Sequence, residues 1–202
     1  MSTTPQPPPS QHGTPTRILD AAERLVQARG FNAFSYGDVA GELKITTAAL
    51  HYHYPRKAEL GTALVSRYSA SFASRLSAMD DAGASIRSKL DGYVAIYAEE
   101  LSHGGMCLGG MLAAEYTTLS ADMQAAIRDF FDRNEAWLAT VLEQGRTEGC
   151  VQFAGCGGDT ARMIISGLQG AMLLSMPYGD VKRFTAVAKC LLYGLYRPAR
   201  IS

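Results

Sequence analysis

The sequence predicts an all-α protein, because three kinds of helical signal recur along the chain. Apolar residues repeat at the three- and four-residue spacing of one helix face, as at Ile18, Ala22 and Leu25. Capping side chains precede such runs, and glycine or proline follows them. With 202 residues and 47% hydrophobic content, the chain is long and apolar enough to bury a core.

The first predicted helix follows a proline-rich start. Residues 1–13, MSTTPQPPPSQHG, contain almost nothing to bury, which predicts a disordered tail. Thr14 and Pro15 then have the character of an N-cap and a first helical residue, and Gly30 supplies the stop. We therefore expect the first helix to end at the corner formed by Gly30 and the residues after it.

Two shorter helices are predicted next. Ser35 is followed three residues later by Asp38, as in a capping box, and this second helix ends near Lys44. Thr46 and Thr47 are good N-cap residues for a third helix. A turn of two or three residues between them is the length found in a helix-turn-helix, whose second member enters the DNA major groove.

The third helix lies in the segment ITTAALHYHYPRK, residues 45–57. In a strand, His51 and His53 would share a face and could chelate a metal, but a two-residue step in a helix turns about 200° and separates them. We therefore predict no metal site. Leu50 and Tyr54 share the inward face, which leaves a broad polar and aromatic surface uncovered.

Residues 17–60 resemble the DNA-binding domain of the tetracycline-repressor (TetR) family of transcriptional regulators. The resemblance rests on the ILDAA start, the RGF corner, the DVA helix and the L-x-Y-H-Y-P-x-K ending. It implies a helix-turn-helix DNA-binding domain at 14–60 and a helical ligand-binding and dimerisation domain at 61–202. It also implies a homodimeric repressor that binds a double-stranded, palindromic operator, although an activator would have the same sequence pattern.

The family's use of the turn and third helix implies a set of DNA-contacting positions. Hydroxyl, imidazole and ammonium groups at these positions can bond to base edges or phosphates. Many relatives carry lysine where Thr47 stands and glycine where Ala48 stands, so we expect modest affinity and a shallow salt dependence. For Tyr52 and His53, packing against the other helices is the alternative. The positions are Tyr36, Thr46, Thr47, Ala48, His51, Tyr52, His53 and Lys57.

The larger second part is also predicted to be helical. A long helix starts near residue 57, and DDAGAS at 80–85 interrupts the pattern. Further helices are expected at about 86–101, through MLAAEY, at 121–148, at 161–176 and at 182–195. Two stripes on the last two helices are either a dimer interface or monomer core: the small-residue strip Gly167, Gly170, Ala171 and Ser175, and the apolar stripe Val187, Leu191 and Leu195.

An effector site is expected in this second part. Aromatic and methionine side chains can line an apolar pocket, but the same pattern is also that of plain core. The candidates are Tyr93, Tyr97, Cys107, Met111, Trp137 and Met172. The segment around Cys107 is similar to the subgroup that includes the repressor of N-ethylmaleimide reductase, whose members respond to electrophiles or oxidants through a cysteine. The alternatives for Cys107 are a reactive sensor and an inert buried thiol.

Composition narrows the classes of function. The formal charge is zero, so DNA binding has to come from local arrangement. No secretory signal and no apolar run of about 20 residues is present, which predicts a cytoplasmic protein with free thiols and no membrane partner. No cofactor is expected. Two rival functions remain: an enzyme using Cys107 with His103, and a helical interaction protein without DNA binding.

Overall fold

The computed structural model describes residues 13–196, in which it places nine α-helices. The all-α prediction is confirmed, whereas the predicted tail, apart from Gly13, lies outside the described residues. Within 13–196 the one extended pairing is an isolated bridge between Val151 and Tyr196. The helices are α1 (Thr14–Arg29), α2 (Tyr36–Leu43), α3 (Thr47–His53), α4 (Lys57–Asp81), α5 (Ile86–Ser102), α6 (Leu108–Ala114), α7 (Ala121–Thr147), α8 (Gly157–Ser175) and α9 (Val181–Tyr193).

The caps of the first helices follow local chemistry. Gly13, rather than Thr14, occupies the N-cap of α1, which places Pro15 in the first turn, where no amide hydrogen is needed. The capping box of α2 is present: Asp38 donates its amide to the Ser35 hydroxyl, and the Asp38 carboxylate accepts from Ser35 N at 2.7 Å. Lys44 ends α2 in the left-handed region, with φ of 55°.

The later helices begin and end close to the predicted positions, except at α6 and α8. Helix α6 begins at Leu108, three residues before the predicted MLAAEY, and ends at Ala114. Helix α8 starts at Gly157, four residues before the predicted start at Ala161. Cys156 caps it, because its sulfur accepts the amide hydrogen of Asp159 at 3.4 Å. The prediction missed this cap because two glycines follow it and because thiols are not among the usual capping groups.

Helix α4 connects the two parts of the chain. It begins directly after the α3 turn, and its buried residues run from Leu60 to Leu76 without interruption at the predicted 60/61 boundary. Helices α7, α8 and α9 pack in sequence against one another, and α4 packs on α7. The orientation of α1–α3 relative to the larger part is therefore set by contacts with α4 and α6.

The two predicted stripes on α8 and α9 are each divided between core and surface. Ala171 and Ser175 are buried, and so is Leu195. By contrast, Leu174 is 71% exposed and Val187 is 44% exposed. Burial assigns Ala171, Ser175 and Leu195 to the monomer core, and the dimer-interface alternative for the other stripe residues stays a prediction. Among residues 13–196, no helix is long and apolar enough to cross a membrane.

Candidate nucleic-acid interface and effector core

Helix α3 is anchored on one face and capped at both ends. Thr46 accepts the amide hydrogen of Ala49 at 3.2 Å, which satisfies one free donor of the first turn. Leu50 is fully buried, and Tyr54, half-buried, ends the helix by donating its amide to Leu50 O at 2.8 Å. A seven-residue helix is too short to be stable alone, so this anchor fixes its position.

The opposite face of α3 is open to solvent. Thr46, Thr47, Ala48 and His51 are exposed, and Tyr52 is 83% exposed. The residue that departs from this pattern is His53, which is half-buried with its ring 5.1 Å from that of Tyr52. The exposure of Tyr52 therefore argues against packing of its side chain on the other helices. His53 is partly packed against the protein and partly open to solvent.

His51 is oriented by two neighbours. Its Nδ1 lies 3.2 Å from Pro55 O, and its ring packs at 4.7 Å from the ring of Tyr36. Because a carbonyl oxygen accepts, Nδ1 carries the hydrogen, and neutral His51 then has an acceptor at Nε2. Helical geometry also keeps His51 and His53 on different faces, and residues 13–196 contain no cluster of metal-binding side chains.

Tyr36 is tied to the end of α3. Its hydroxyl donates to Tyr54 O at 2.6 Å, and burial raises the pKa of Tyr36 to about 12. The phenol therefore stays protonated, with its hydrogen already engaged. A phosphate contact from Tyr36, as predicted, requires this bond to be exchanged.

The ammonium of Lys57 is directed into the protein. It donates to Phe31 O at 2.5 Å and also to Phe34 O, and it lies over both phenyl rings. Burial lowers the pKa of Lys57 below its usual value. A phosphate contact would require the ammonium to leave these carbonyl oxygens. The position of Lys57 in the structure therefore favours a role in holding the fold over a contact with DNA.

Lys44 is a cation near α3 that the sequence-based set omitted. It is exposed at the end of α2, directly before the turn, and within 13–196 the structure assigns its ammonium no ion pair. Arg56, by contrast, is paired with Glu59. A cation next to the turn was visible in the sequence, but only the fold distinguishes a free cation from a paired one.

The predicted effector residues come together in part, in an aromatic core between α4, α5 and α7. Tyr93 and Tyr97 are buried, with their hydroxyl oxygens 3.1 Å apart, and Tyr93 donates to Asn134 Oδ1 at 3.5 Å. Phe72 makes edge contacts with both tyrosine rings. Burial raises the pKa of Tyr93 and of Tyr97 well above the usual value, so both remain neutral.

Cys107 adjoins this core from the start of α6. Its side chain is 1% exposed, and Tyr68 donates its hydroxyl hydrogen to the sulfur at 3.5 Å. The residue paired with it in the enzyme alternative, His103, is exposed at the end of α5. Among the described residues, the side-chain hydrogen bond to the thiol therefore comes from a tyrosine hydroxyl and not from a histidine base.

A groove of about 190 Å³ opens beside the aromatic core, between α4 and α7. Phe72, Asn134 and Trp137 belong to both the groove and the core. Trp137 stacks on Tyr93 at 5.7 Å and donates Nε1–H to Asp80 at 2.8 Å. Met111 is half-buried and Met172 fully buried, and neither lines this groove. Tyr68, Phe72 and Asn134 were not among the effector residues predicted from the sequence, because no local pattern places them beside Tyr93 and Cys107.

One surface of α8 and α9 is apolar and exposed. Met163 is 51% exposed and Leu174 is 71% exposed. Gly167 and Gly170, both half-buried, lie between them on one stripe of α8 at helical spacing. On α9, Val187 continues the exposed apolar surface. We call these five residues the α8–α9 face.

Known proteins resemble both the DNA-binding helices alone and nearly the whole chain. Residues 18–64 match the family described as "Bacterial regulatory proteins, tetR family". A TetR transcriptional regulator from Legionella pneumophila is 33% identical, with a TM-score of 0.82 over 91% of this chain and 98% of that one.

The same comparison relates the chain to a repressor of Escherichia coli. The HTH-type transcriptional repressor NemR of strain K12 is 27% identical over 152 residues, which are 72% of this chain and 75% of NemR. The reduced form of E. coli NemR has a TM-score of 0.78 at 23% identity, over 93% of this chain and all of that one, which is a likeness of fold.

Proposed function

This chain belongs to the tetR family of bacterial regulatory proteins and is a transcriptional regulator, and on that premise we propose that it is a homodimeric repressor. Two copies pair through the α8–α9 face and bind a palindromic operator through their α3 helices. An effector acting on the aromatic core releases them from DNA. The protein acts in the cytoplasm, with residues 14–60 as the DNA-binding domain and 61–202 as the effector and dimerisation domain.

One observation carries the DNA-binding part of the proposal, namely the open face of α3. Thr47, His51 and Tyr52 are exposed while Leu50 anchors the helix from behind. A helix presented in this way fits the major groove, where short polar side chains reach base edges and phosphates. Thr46, Ala48 and His53 flank this surface, and Lys44 supplies a nearby charge.

Operator binding is tested with a duplex that covers the region upstream of the chain's own gene. We expect Thr47→Ala combined with His51→Ala to weaken binding at least about tenfold, because two polar contacts are lost. A matched control combines Thr140→Ala with His103→Ala, which are exposed positions of the same types outside α1–α3. If the unaltered chain does not shift the duplex at low salt, a helical interaction protein is the better description.

The effector part of the proposal rests on the aromatic core and its groove. The polar groups next to Phe72 are tyrosine hydroxyls and the Asn134 amide, all of them neutral. The groove itself is also lined by Asp80 and Arg133, but a charged ligand that reached the core would find no counter-charge there, so the part of the effector that enters the core is uncharged. It enters by the groove beside Trp137, and reaction at Cys107 is one way in which it acts.

The role of Cys107 is tested by thiol modification. Three other cysteines are exposed, so the parent for this test carries Cys150→Ser, Cys156→Ser and Cys190→Ser. We expect N-ethylmaleimide to lower the operator affinity of this parent and to leave its Cys107→Ser derivative unchanged. If the parent keeps its operator affinity after this treatment, Cys107 is an inert buried thiol.

A further inference from the structure

The segment from Gly30 to Phe34, which we call the corner, joins α1 to α2. Helix α1 ends at Arg29, and Gly30 follows with φ of 89°, a conformation that side chains disfavour. The amide hydrogens of Phe31 and Asn32 come after the helix has ended. They therefore need acceptors from elsewhere in the protein.

Glu115, the residue that follows α6, provides those acceptors. Its Oε2 accepts from Phe31 N at 2.7 Å and from Asn32 N at 3.2 Å. A side chain at Gly30 would start 2.6 Å from Oε1, so glycine permits this close approach. Next to it, Asn32 Nδ2 donates to Thr118 Oγ1 at 2.7 Å. A carboxylate that accepts from two backbone amides makes stronger bonds than a neutral group would.

The same corner is held from its other side by the first residue of α4. Lys57 donates to the carbonyl oxygens of Phe31 and Phe34. The negative charge of Glu115 partly offsets the lowering of the Lys57 pKa by burial, which indicates that the two charged groups lie close enough to interact. The carbonyl groups of the corner therefore accept from Lys57 of α4, and its amide groups donate to Glu115 at the end of α6.

Helix α6 begins at the other functional region of the protein. Cys107 precedes it and is in contact with Tyr68 in the aromatic core, and Glu115 follows its last residue. Seven residues span about 10 Å of helix. Met106 N also donates to Gln27 O at 3.2 Å, near the end of α1. One short, rigid element thus reaches from the thiol to the corner.

We propose that Glu115 is the positioning residue that couples α6 to the DNA-binding helices, because its carboxylate fixes the corner at the end of α1. When α6 shifts, the bonds to Phe31 and Asn32 carry α1 with it, and the orientation of α3 follows. This coupling has a regulatory role only if the proposed function is correct. The contact between Glu115 and the corner is testable without DNA.

The first test measures amide hydrogen exchange in the free protein. Glu115→Ala is expected to speed the exchange of Phe31 and Asn32 at least about fivefold, because both amides lose their acceptor. Glu115→Gln, which keeps one acceptor oxygen, recovers part of the protection. Asp132→Ala, which removes an exposed carboxylate from α7, is the control. Unchanged exchange of Phe31 and Asn32 in Glu115→Ala, with helical content preserved, would overturn the proposal.

The second test measures coupling, with the upstream duplex as the probe. In the unaltered chain, the duplex is expected to change amide exchange in α6 at least about fivefold, the lower range of allosteric coupling. In Glu115→Ala the α3 amides still respond to the duplex, but the α6 amides do not. An equal α6 response in both proteins, or none in the unaltered chain, would refute the coupling. Failure of the unaltered chain to bind any duplex would count against the proposed function instead, and the exchange of Phe31 and Asn32 would still decide the contact.

Discussion

Two lysines near α3 illustrate how burial decides what a charge does. Lys44 is exposed before the turn, while the Lys57 ammonium bonds to two carbonyls of the corner. As side chains, the two lysines have the same chemistry. Their different roles follow from which other parts of the chain lie beside them.

We expect Lys57→Met to lower the free energy of unfolding by about 1–2 kcal/mol, because two carbonyls lose a charged donor while the aliphatic stem is kept. Operator binding by this variant should keep the salt dependence of the parent. Lys44→Met should do the opposite, leaving stability unchanged and reducing the salt slope by about 1. Thermal unfolding and operator titrations at several salt concentrations measure both effects. A reduced salt slope for Lys57→Met would show that Lys57 contacts DNA.

Glu100 offers a pH-dependent prediction at the same scale. Burial raises the pKa of its carboxyl above the usual value, although a hydrogen bond from Gln27 at 2.5 Å opposes this. Because the folded protein binds the proton more tightly than the unfolded chain, Glu100 favours folding most at acid pH. That contribution is lost as pH rises through the folded pKa.

Glu100→Gln should therefore raise the midpoint of thermal unfolding at neutral pH by roughly 1–2 °C, a small effect because the group is partly exposed to solvent. The difference should shrink as the pH is lowered through the raised pKa of Glu100. Glu99→Gln, an exposed neighbour paired with Arg75, is the comparison. A difference between variant and parent that does not depend on pH would contradict the assignment.

At the scale of elements, the caps that the sequence predicts set the limits of the DNA-binding helices. The capping box of α2 fixes where that helix begins, and Lys44 in the left-handed region fixes where it ends. These two boundaries help to set the orientation of α3 relative to α2. A change at a cap should therefore affect operator binding as well as stability.

We expect Ser35→Ala to lower the free energy of unfolding by about 1 kcal/mol, since the Asp38 amide loses its acceptor. Hydrogen bonds from Ser35 also hold the pKa of Asp38 below its usual value. The stabilisation from that carboxylate is present at neutral pH and is lost as pH falls through the lowered pKa. Ser74→Ala, an exposed site inside α4, should be neutral or slightly stabilising. Equal effects of the two changes on thermal unfolding would argue against the cap.

The element scale also shows where helical periodicity stops being informative. The pattern on α8 correctly predicts a helix with a small-residue strip, and it cannot say which part of the strip is covered. In the structure, Ala171 and Ser175 lie in the core, Gly167 and Gly170 are half-buried, with Gly167 facing Leu191 of α9, and the neighbouring Leu174 is exposed. The difference arises from the contacts of α8 with α7 and α9, which the local pattern does not contain.

At the scale of the whole molecule, the α8–α9 face determines the proposed assembly. Exposed apolar side chains at helical spacing on two neighbouring helices are typical of an interface between subunits. A symmetric pair would place two α3 helices at a fixed separation. Dimerisation and operator recognition would then depend on each other, because each copy alone binds only half of a palindrome.

Leu174→Glu should weaken self-association by about 2 kcal/mol or more, because a charge would be buried at the C-terminal end of the face on α8. Leu173→Glu makes the same chemical change about 100° away around α8 and serves as the control. Analytical ultracentrifugation over a range of protein concentrations measures both. If Leu174→Glu leaves the association unchanged, the proposed dimer does not use this face.

The sequence by itself determined the all-α class, the ends of most helices and the surface of α3 that faces outward. Each of these depends on residues within a few positions of one another, so local capping and periodicity are sufficient. The tertiary structure alone decided that Lys57 and Glu115 meet at the corner and that Tyr68 contacts Cys107. Phe31 and Glu115 are 84 residues apart, and no local pattern relates residues at such separation, because packing of whole helices brings them together.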